Sequence, residues 1–406
     1  MLHMPLSGVD MAWWPLLLIG FTVGVVGGYF GLGGAWLVTP ALNIFGFPMV
    51  YAVATDMAHV AGKSIVSSFR HWRFGHVSAA IAIFMLVGTF SGVEVGAQCL
   101  MWLNKRGLAG PVVRYIYMVL LFCMFFFMLK EYLGARKIEK ETGKEVKDIV
   151  GNRFSRWLND LLKDIPPVFY DKVTRMRMSL WSCIFVGVVC GWVAGILGIG
   201  GGLLRVPSLI YILGVPTKVA VGTDLFEVMF SGAYGGFTWG VKGKVELIAA
   251  CIMLCGAAVG AQFGTVCTKY VYGITIRLVY SLACFFAFAS VVLKQVAWFY
   301  TQSYDKAVKA LLKADGITGD KASIITGSIT PQTKATMYHY LVEVSKKPEW
   351  WADYQMNILY TNIAGVVVLT AACGITAFIL YLLVKGIAKE RRELRDTQAQ
   401  ATQAKI

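Results

Sequence analysis

Four long apolar runs with few or no charges, 181–197, 245–266, 276–293 and 363–384, limit what this chain can fold into. A stretch of about 20 apolar residues with few charges is long enough to cross a lipid bilayer as a helix. Such a helix satisfies its own backbone, which lipid cannot do for it. Composition agrees. The 406 residues are 57% hydrophobic and 15% charged, with a mean hydropathy of +0.62. A soluble chain carries roughly 25% charged residues. The sequence therefore specifies an all-α polytopic membrane protein, with membrane lipids as its surroundings.

The net charge is +15. No basic-aromatic module accompanies it, so nucleic acid is not an expected partner. Many basic residues lie in polar loops and in the tail, as the positive-inside rule requires. The nine cysteines fall nearly all within apolar segments and outside the polar stretches 134–178 and 301–356. They read as small buried hydrophobes, not as a disulfide framework or metal site. No metal or cofactor is expected, and no cleavable signal stands at residues 1–14.

The hydrophobic elements are 14–45 (interrupted at Gly31–Gly34), 49–69, 77–103 and 112–133, then 179–213 (interrupted at Gly198–Gly202), 217–239, 245–266 and 276–300, and finally 357–384. The first four recur in the second four. Phe30-Gly-Leu-Gly-Gly-Ala-Trp-Leu-Val-Thr-Pro40 aligns with Leu197-Gly-Ile-Gly-Gly-Gly-Leu-Leu-Arg-Val-Pro207. Gly20, Gly24 and Gly28 match Gly187, Gly191 and Gly195; Pro48 matches Pro216, and Thr55-Asp56 matches Thr223-Asp224. Gly96-Ala97-Gln98 matches Gly260-Ala261-Gln262. Agreement of Gly, Pro, Thr-Asp and Gln in one order marks an internal duplication.

The organisation expected is a first transmembrane repeat (1–133), a cytoplasmic loop with an interfacial amphipathic helix around 154–163 (134–178), and a second repeat (179–300). An extracytoplasmic insertion (301–356) with two short helices, an added transmembrane helix (357–384) and a charged cytoplasmic tail (385–406) follow.

Segments 14–45 and 179–213 would each reach about 50 Å as one helix, against a hydrocarbon core of about 30 Å. Each is either a re-entrant hairpin of two half-helices or one broken spanning helix. Charge favours hairpins. With hairpins the two repeats are inverted, and loop 134–178 and the tail share a side. Both are basic: eleven Lys/Arg lie between Arg136 and Arg177, and the tail opens with Lys385, Lys389, Arg391 and Arg392. With spanning helices they would face opposite sides.

Broken helices expose backbone N–H groups, which with the helix dipole favour an anion. Gly33, Gly34, Gly200, Gly201 and Gly202 are thus candidate backbone donors to a substrate. The outer glycine stripes read as close helix packing. Asp56, His59 and Lys63 share one helix face, and Asp224 and Glu227 occupy the positions matching Asp56 and His59. Ionisable groups inside a span face a cavity or a partner. His59 and Lys63 are candidate substrate contacts. Thr55, Asp56, Thr223, Asp224 and Glu227 are candidates for coupling or for organising the site. For Asp56 and Asp224, a helix-cap role competes. Arg205 is either a counter-charge to an anion or a residue snorkelling to the interface. Gln98 and Gln262 are candidate neutral donors, with interhelical bonding as the alternative.

These doubled motifs resemble the sulfite exporter TauE/SafE family of membrane transporters. The resemblance rests on Gly24-x-x-x-Gly28-x-x-Gly31-Leu-Gly33-Gly34 through Thr39-Pro40, on Gly191-x-x-x-Gly195-x-x-Gly198-Ile-Gly200-Gly201-Gly202 through Pro207, and on Ala54-Thr55-Asp56 and Gly222-Thr223-Asp224. It covers about 14–133 and 179–300, and implies transport of sulfur-containing or organic anions, in bacterial inner membranes among others. The expected function is secondary transport of a small anion such as sulfite by alternating access at the membrane midplane. The other class kept open is an accessory or scaffold protein acting through 301–356 or the basic loop. No enzyme ligand set and no nucleotide-binding loop is present. The ion, direction, coupling and any homo-oligomer are open.

Overall fold

The computed structural model describes residues 2–30, 35–142, 165–198, 202–271, 273–314 and 348–403. It is helical apart from two short antiparallel hairpins, β1 (Leu2–His3) with β2 (Asp10–Met11) and β3 (Val168–Asp171) with β4 (Met176–Ser179). The first half runs α1 (Trp13–Phe30), α2 (Ala35–Ile44), α3 (Met49–Arg73), α4 (Ala79–Lys105) and α5 (Ala109–Thr142). The second runs α6 (Leu180–Leu197), α7 (Gly202–Tyr211), α8 (Thr217–Val241), α9 (Leu247–Tyr270) and α10 (Gly273–Ala314), and α11 (Pro348–Gln403) closes the chain. Matched prolines start matched helices: Pro48 and Pro216 precede α3 and α8 with φ near −57° and −56°, the ring already set for helix entry.

Seven helices among the described residues are long and apolar enough to cross a membrane. Their outward faces carry large apolar side chains such as Trp14, Val119, Phe185, Leu247 and Val366, while Asp56, Lys63, Arg205 and Glu227 are buried. Apolar groups outside and charges inside is the arrangement that lipid selects.

The halves interlock by exchanging glycine stripes. Gly20, Gly24 and Gly28 of α1 lie against Met253, Ala257 and Ala261 of α9. Gly187, Gly191 and Gly195 of α6 lie against Met85, Thr89 and Val93 of α4. A Cβ on Gly28 would sit 2.7 Å from the Ala261 carbonyl oxygen, and one on Gly191 would sit 2.5 Å from that of Thr89. Only glycine permits backbones to pass so closely. Residue numbers rise together along both interfaces, so each pair is parallel. By contrast, Ala61 meets Gly232 and Ala58 meets Gly236, so α3 and α8 cross antiparallel at the centre.

Hydrogen bonds fix which helix ends lie together. The Leu6 and Ser7 N–H groups, just before α1, donate to Glu246 Oε2, both at 3.0 Å, and the Glu246 N–H donates to Thr55 Oγ1 at 2.9 Å. The starts of α1, α3 and α9 therefore share one end of the bundle. At the other end the Ser78 N–H donates to Thr223 Oγ1 at 3.0 Å, and Ser78 Oγ donates to Asp171 Oδ1 in β3 at 2.6 Å. The starts of α4, α6 and α8 share that end. Because α6 and α8 start together, the chain leaves and returns through α6 and α7; α1 and α2 do the same from the opposite end. Lys269 donates to Glu390 at 2.9 Å, which places the tail beside the end of α9.

Some expectations change in detail. Residues 304–313 continue α10 to Ala314 instead of forming a separate short helix. Once a helix has left the apolar layer, each added residue gains a backbone hydrogen bond without a new nucleation cost. The last helix likewise extends past 357–384 in both directions. The two hairpins have no strand-length apolar alternation behind them and went unread. The expected helices at 154–163 and 333–345 lie outside the described residues.

Candidate functional site

The site lies where the two helix breaks approach the central pair α3 and α8. In the second half α6 ends on Gly198, whose φ is +77° and whose N–H donates to the Ala194 carbonyl at 2.8 Å. Gly198 packs on Val53 of α3, one turn before Asp56. The preceding carbonyl, on Leu197, accepts from the Tyr117 hydroxyl of α5 at 2.9 Å. Tyr117 also adjoins Thr39 in α2. In the first half Phe30, the last residue of α1, packs edge-on against Tyr280 of α10, with ring centroids 5.5 Å apart. The Tyr280 hydroxyl donates to the Leu203 carbonyl of α7 at 3.0 Å. Each break is thus tied to the other half by one tyrosine. Gly33, Gly34, Gly200 and Gly201 lie outside the described residues; Gly202 is the buried first residue of α7.

Behind the first break, Asp56 Oδ2 accepts from the Thr39 N–H at 3.1 Å and from Thr39 Oγ1 at 2.8 Å. Asp56 thus ties half-helix α2 to α3. The His59 ring stands 3.7 Å from the other Asp56 oxygen. Lys63 is 1% exposed, and its Nζ has no hydrogen-bond partner among the described residues. A cation buried in this way is costly unless an anion or water reaches it.

Behind the second break, Arg205 is fully buried and pairs with Asp224 Oδ1 at 3.0 Å and with Glu227 Oε2. Ser231 donates to the same Glu227 oxygen at 3.0 Å. Arg205 does not snorkel outward. Two carboxylates already satisfy its charge, while its Nε and one terminal nitrogen remain without a partner. Asp224 holds α7 through Arg205 as Asp56 holds α2 through Thr39. The aspartates are equivalent; the groups they hold are not.

Other sequence candidates land elsewhere. Thr55 and Thr223 accept the N–H groups of Glu246 and Ser78, at the starts of α9 and α4, so they pin helix ends and do not line the breaks. Gln98 is exposed and donates to Glu94 on its own helix at 3.0 Å. The glycine face of α4 is turned to α6, which leaves Gln98 on the outer side. Gln262 is half-buried on α9 with a buried carbonyl oxygen lacking a partner. Tyr117 and Tyr280 were missed. A signal was available: Arg114-x-x-Tyr117 recurs as Arg277-x-x-Tyr280 at the start of the last helix of each half. Among the described residues, no three His, Cys, Asp or Glu side chains gather as a metal site.

The family model described as "Sulfite exporter TauE/SafE" matches residues 16–291. The chain is 24% identical over 276 residues to Bacillus subtilis "Probable membrane transporter protein YunE", covering 65% of this chain and 91% of that protein. It is 23% identical over 260 residues to YjnA of the same organism, which bears the same descriptive name, covering 62% of this chain and 88% of that protein. A Methanocaldococcus jannaschii protein of that description is 26% identical over 221 residues, with 52% of this chain and 66% of the relative covered. No solved structure matches.

Proposed function

The chain belongs to the sulfite exporter TauE/SafE family of multi-pass membrane transporters, not enzymes, and from that premise we propose that it carries a small anion, sulfite or another sulfur-containing or organic anion, across a bacterial inner membrane. The observation that carries this reading is the pair of interrupted helices backed by buried charge, Asp56, His59 and Lys63 behind one and Arg205, Asp224 and Glu227 behind the other. Half-helix starts offer backbone N–H groups to an anion. Lys63, with no bonded partner of its own, supplies the counter-charge. Arg205 is held by its carboxylates and gives one of its unbonded nitrogens.

The coupling follows from the charge sum. With His59 neutral, Asp56 and Lys63 sum to zero, and Arg205, Asp224 and Glu227 sum to −1. An anion entering so negative a site is repelled unless a proton enters with it. His59 and Glu227, at matched positions on α3 and α8, are the groups proposed to carry that proton. The helix ends support inverted repeats, with α6 to α10 the reverse of α1 to α5. The basic loop 134–178 and the tail 385–406 are assigned to the cytoplasm, and segment 301–356 to the opposite side. Alternating access is then movement of one repeat against the other around the two breaks.

The test is uptake or efflux of [35S]sulfite in proteoliposomes under imposed pH and voltage gradients. Flux above that of empty vesicles, accelerated by a proton gradient, supports the reading. Flux equal to empty vesicles for sulfite, sulfonates and small carboxylates rejects it. Single-cysteine labelling on a cysteine-depleted background tests the topology: residues of 134–178 and of the tail should react from one side only.

A further inference from the structure

The two ends of the bundle carry matched arginines in unlike settings. Arg277, near the start of α10, is 2% exposed; its guanidinium donates to Glu131 Oε2 at 2.8 Å and to Thr217 Oγ1 at 2.9 Å. The Tyr211 hydroxyl also donates to Glu131. Glu131, on α5, cancels the arginine's charge. At the opposite end Arg114, near the start of α5, is 7% exposed. Aligning Arg114-x-x-Tyr117 with Arg277-x-x-Tyr280 and continuing without a gap brings Glu131 opposite Lys294 of α10. Where one end has an arginine and a glutamate, the other has an arginine and a lysine.

Among the described residues no carboxylate takes the place of that glutamate. Arg114 Nε donates to Gln295 Oε1 at 2.8 Å, and one terminal nitrogen reaches Asn43 Oδ1 at 3.5 Å. The other terminal nitrogen is buried without a partner. Lys294 Nζ donates to Thr361 Oγ1 of α11 at 3.3 Å, so the added last helix helps to set it. Among the described residues neither cation forms an ion pair. Both line a single narrow cavity together with Asn43, Tyr117 and Thr39, and Thr39 is the residue bonded to Asp56 at the first break. Two desolvated cations facing one cavity repel each other and retain most of their hydration cost, and an anion between them removes both penalties.

We propose that Arg114 and Lys294 form a second anion site, at the end of the bundle where α5 begins, for a small oxyanion with charge spread over two or more oxygens. The fork of a guanidinium matches two such oxygens, and the ammonium adds a point charge. The cavity is lined in part by Thr39, so this site adjoins the contact that holds Asp56. At the matched place on the other end Glu131 cancels the arginine's charge, and the two ends differ in the charge they present. Binding at this site does not depend on transport.

The experiment measures [35S]sulfate and [35S]sulfite binding to the purified full chain in detergent, together with thermal unfolding. Saturable binding is expected. Arg114→Gln and Lys294→Gln should each weaken it about tenfold or more, the loss of one charge-assisted contact, while Lys294→Arg should retain it. Lys294→Glu rebuilds the neutral pair seen at Arg277. It should remove one equivalent of bound anion, leaving the equivalent held at the central site, while the melting temperature holds or rises, which separates a lost site from a lost fold. Phosphatidylglycerol, titrated in the same detergent, distinguishes a lipid headgroup from a free ion: phosphate lipid bound by the wild type and not by Lys294→Glu assigns the site to the headgroup. Lys63→Met, which should stop transport, should retain this binding, so failure here is distinct from failure of the transporter reading. Equal binding of every probe by wild type and Lys294→Glu, or no binding of any, overturns the proposal.

Discussion

The two halves share a helix plan and part at the charges behind their breaks. In the first, Asp56 accepts from Thr39 and leaves Lys63 unbonded. In the second, Asp224 and Glu227 close on Arg205. The aspartate is the common element, since both half-helices need an anchor. What it anchors is free to diverge, and that divergence sets one half as a tightly ion-paired strut and the other as a cation without a hydrogen-bond partner among the described residues. The ends repeat the lesson, with Arg277 neutralised by Glu131 and Arg114 set beside Lys294.

The largest effect should come where the halves are alike. Gly191→Leu forces a side chain into the Thr89 backbone, where a Cβ alone would already lie 2.5 Å from the carbonyl oxygen, so the two helices cannot keep their contact. With α6 displaced from α4, no monodisperse protein should survive detergent gel filtration. Recovery of a wild-type elution profile would show that the stripe is not a packing surface.

Next come the charges. Arg205→Ala strands two buried carboxylates, a loss of about 3–5 kcal/mol, and should end [35S]sulfite flux as well as lower the melting temperature. Lys63→Met should behave in the opposite way. It removes a buried cation that makes no hydrogen bond, so stability should hold to within about 1 kcal/mol while flux is lost. If both variants lose stability equally, the contrast between strut and free cation fails.

Thr39→Val removes one of the two bonds to Asp56 and keeps the backbone one. Interhelical hydrogen bonds in membranes are worth about 1 kcal/mol or less, so thermal unfolding should shift by a few degrees at most. The smallest effect belongs to Gln98→Ala, since Gln98 is exposed and its partner Glu94 lies on the same helix. Wild-type stability and flux are expected, and a clear loss of flux would return Gln98 to the site.

Much of the fold was legible because lipid enforces simple rules: long apolar runs, prolines at helix starts, glycine stripes at helix contacts. The breaks were placed to within a residue or two, since Phe30 and Leu197 end their helices beside the glycine clusters. Gln98 misled because a matched position in a repeat carries no information about which side of the helix it faces. Tyr117 and Tyr280 were overlooked because a tyrosine in an apolar helix looks like any aromatic there; its hydroxyl acquires meaning from the carbonyl opposite.

By itself the sequence determined that the chain lives in a membrane, that it is a doubled unit, and which buried charges are unmatched between the halves. Those facts follow from local composition and spacing, which the bilayer reads residue by residue. Only the tertiary structure decided that α1 packs on α9 and α4 on α6, that Arg205 is already paired, and that Arg114 and Lys294 share a cavity. Charge pairing depends on distance in space, and residues 181 positions apart in sequence, such as Arg114 and Gln295, have no local pattern to announce that they will meet.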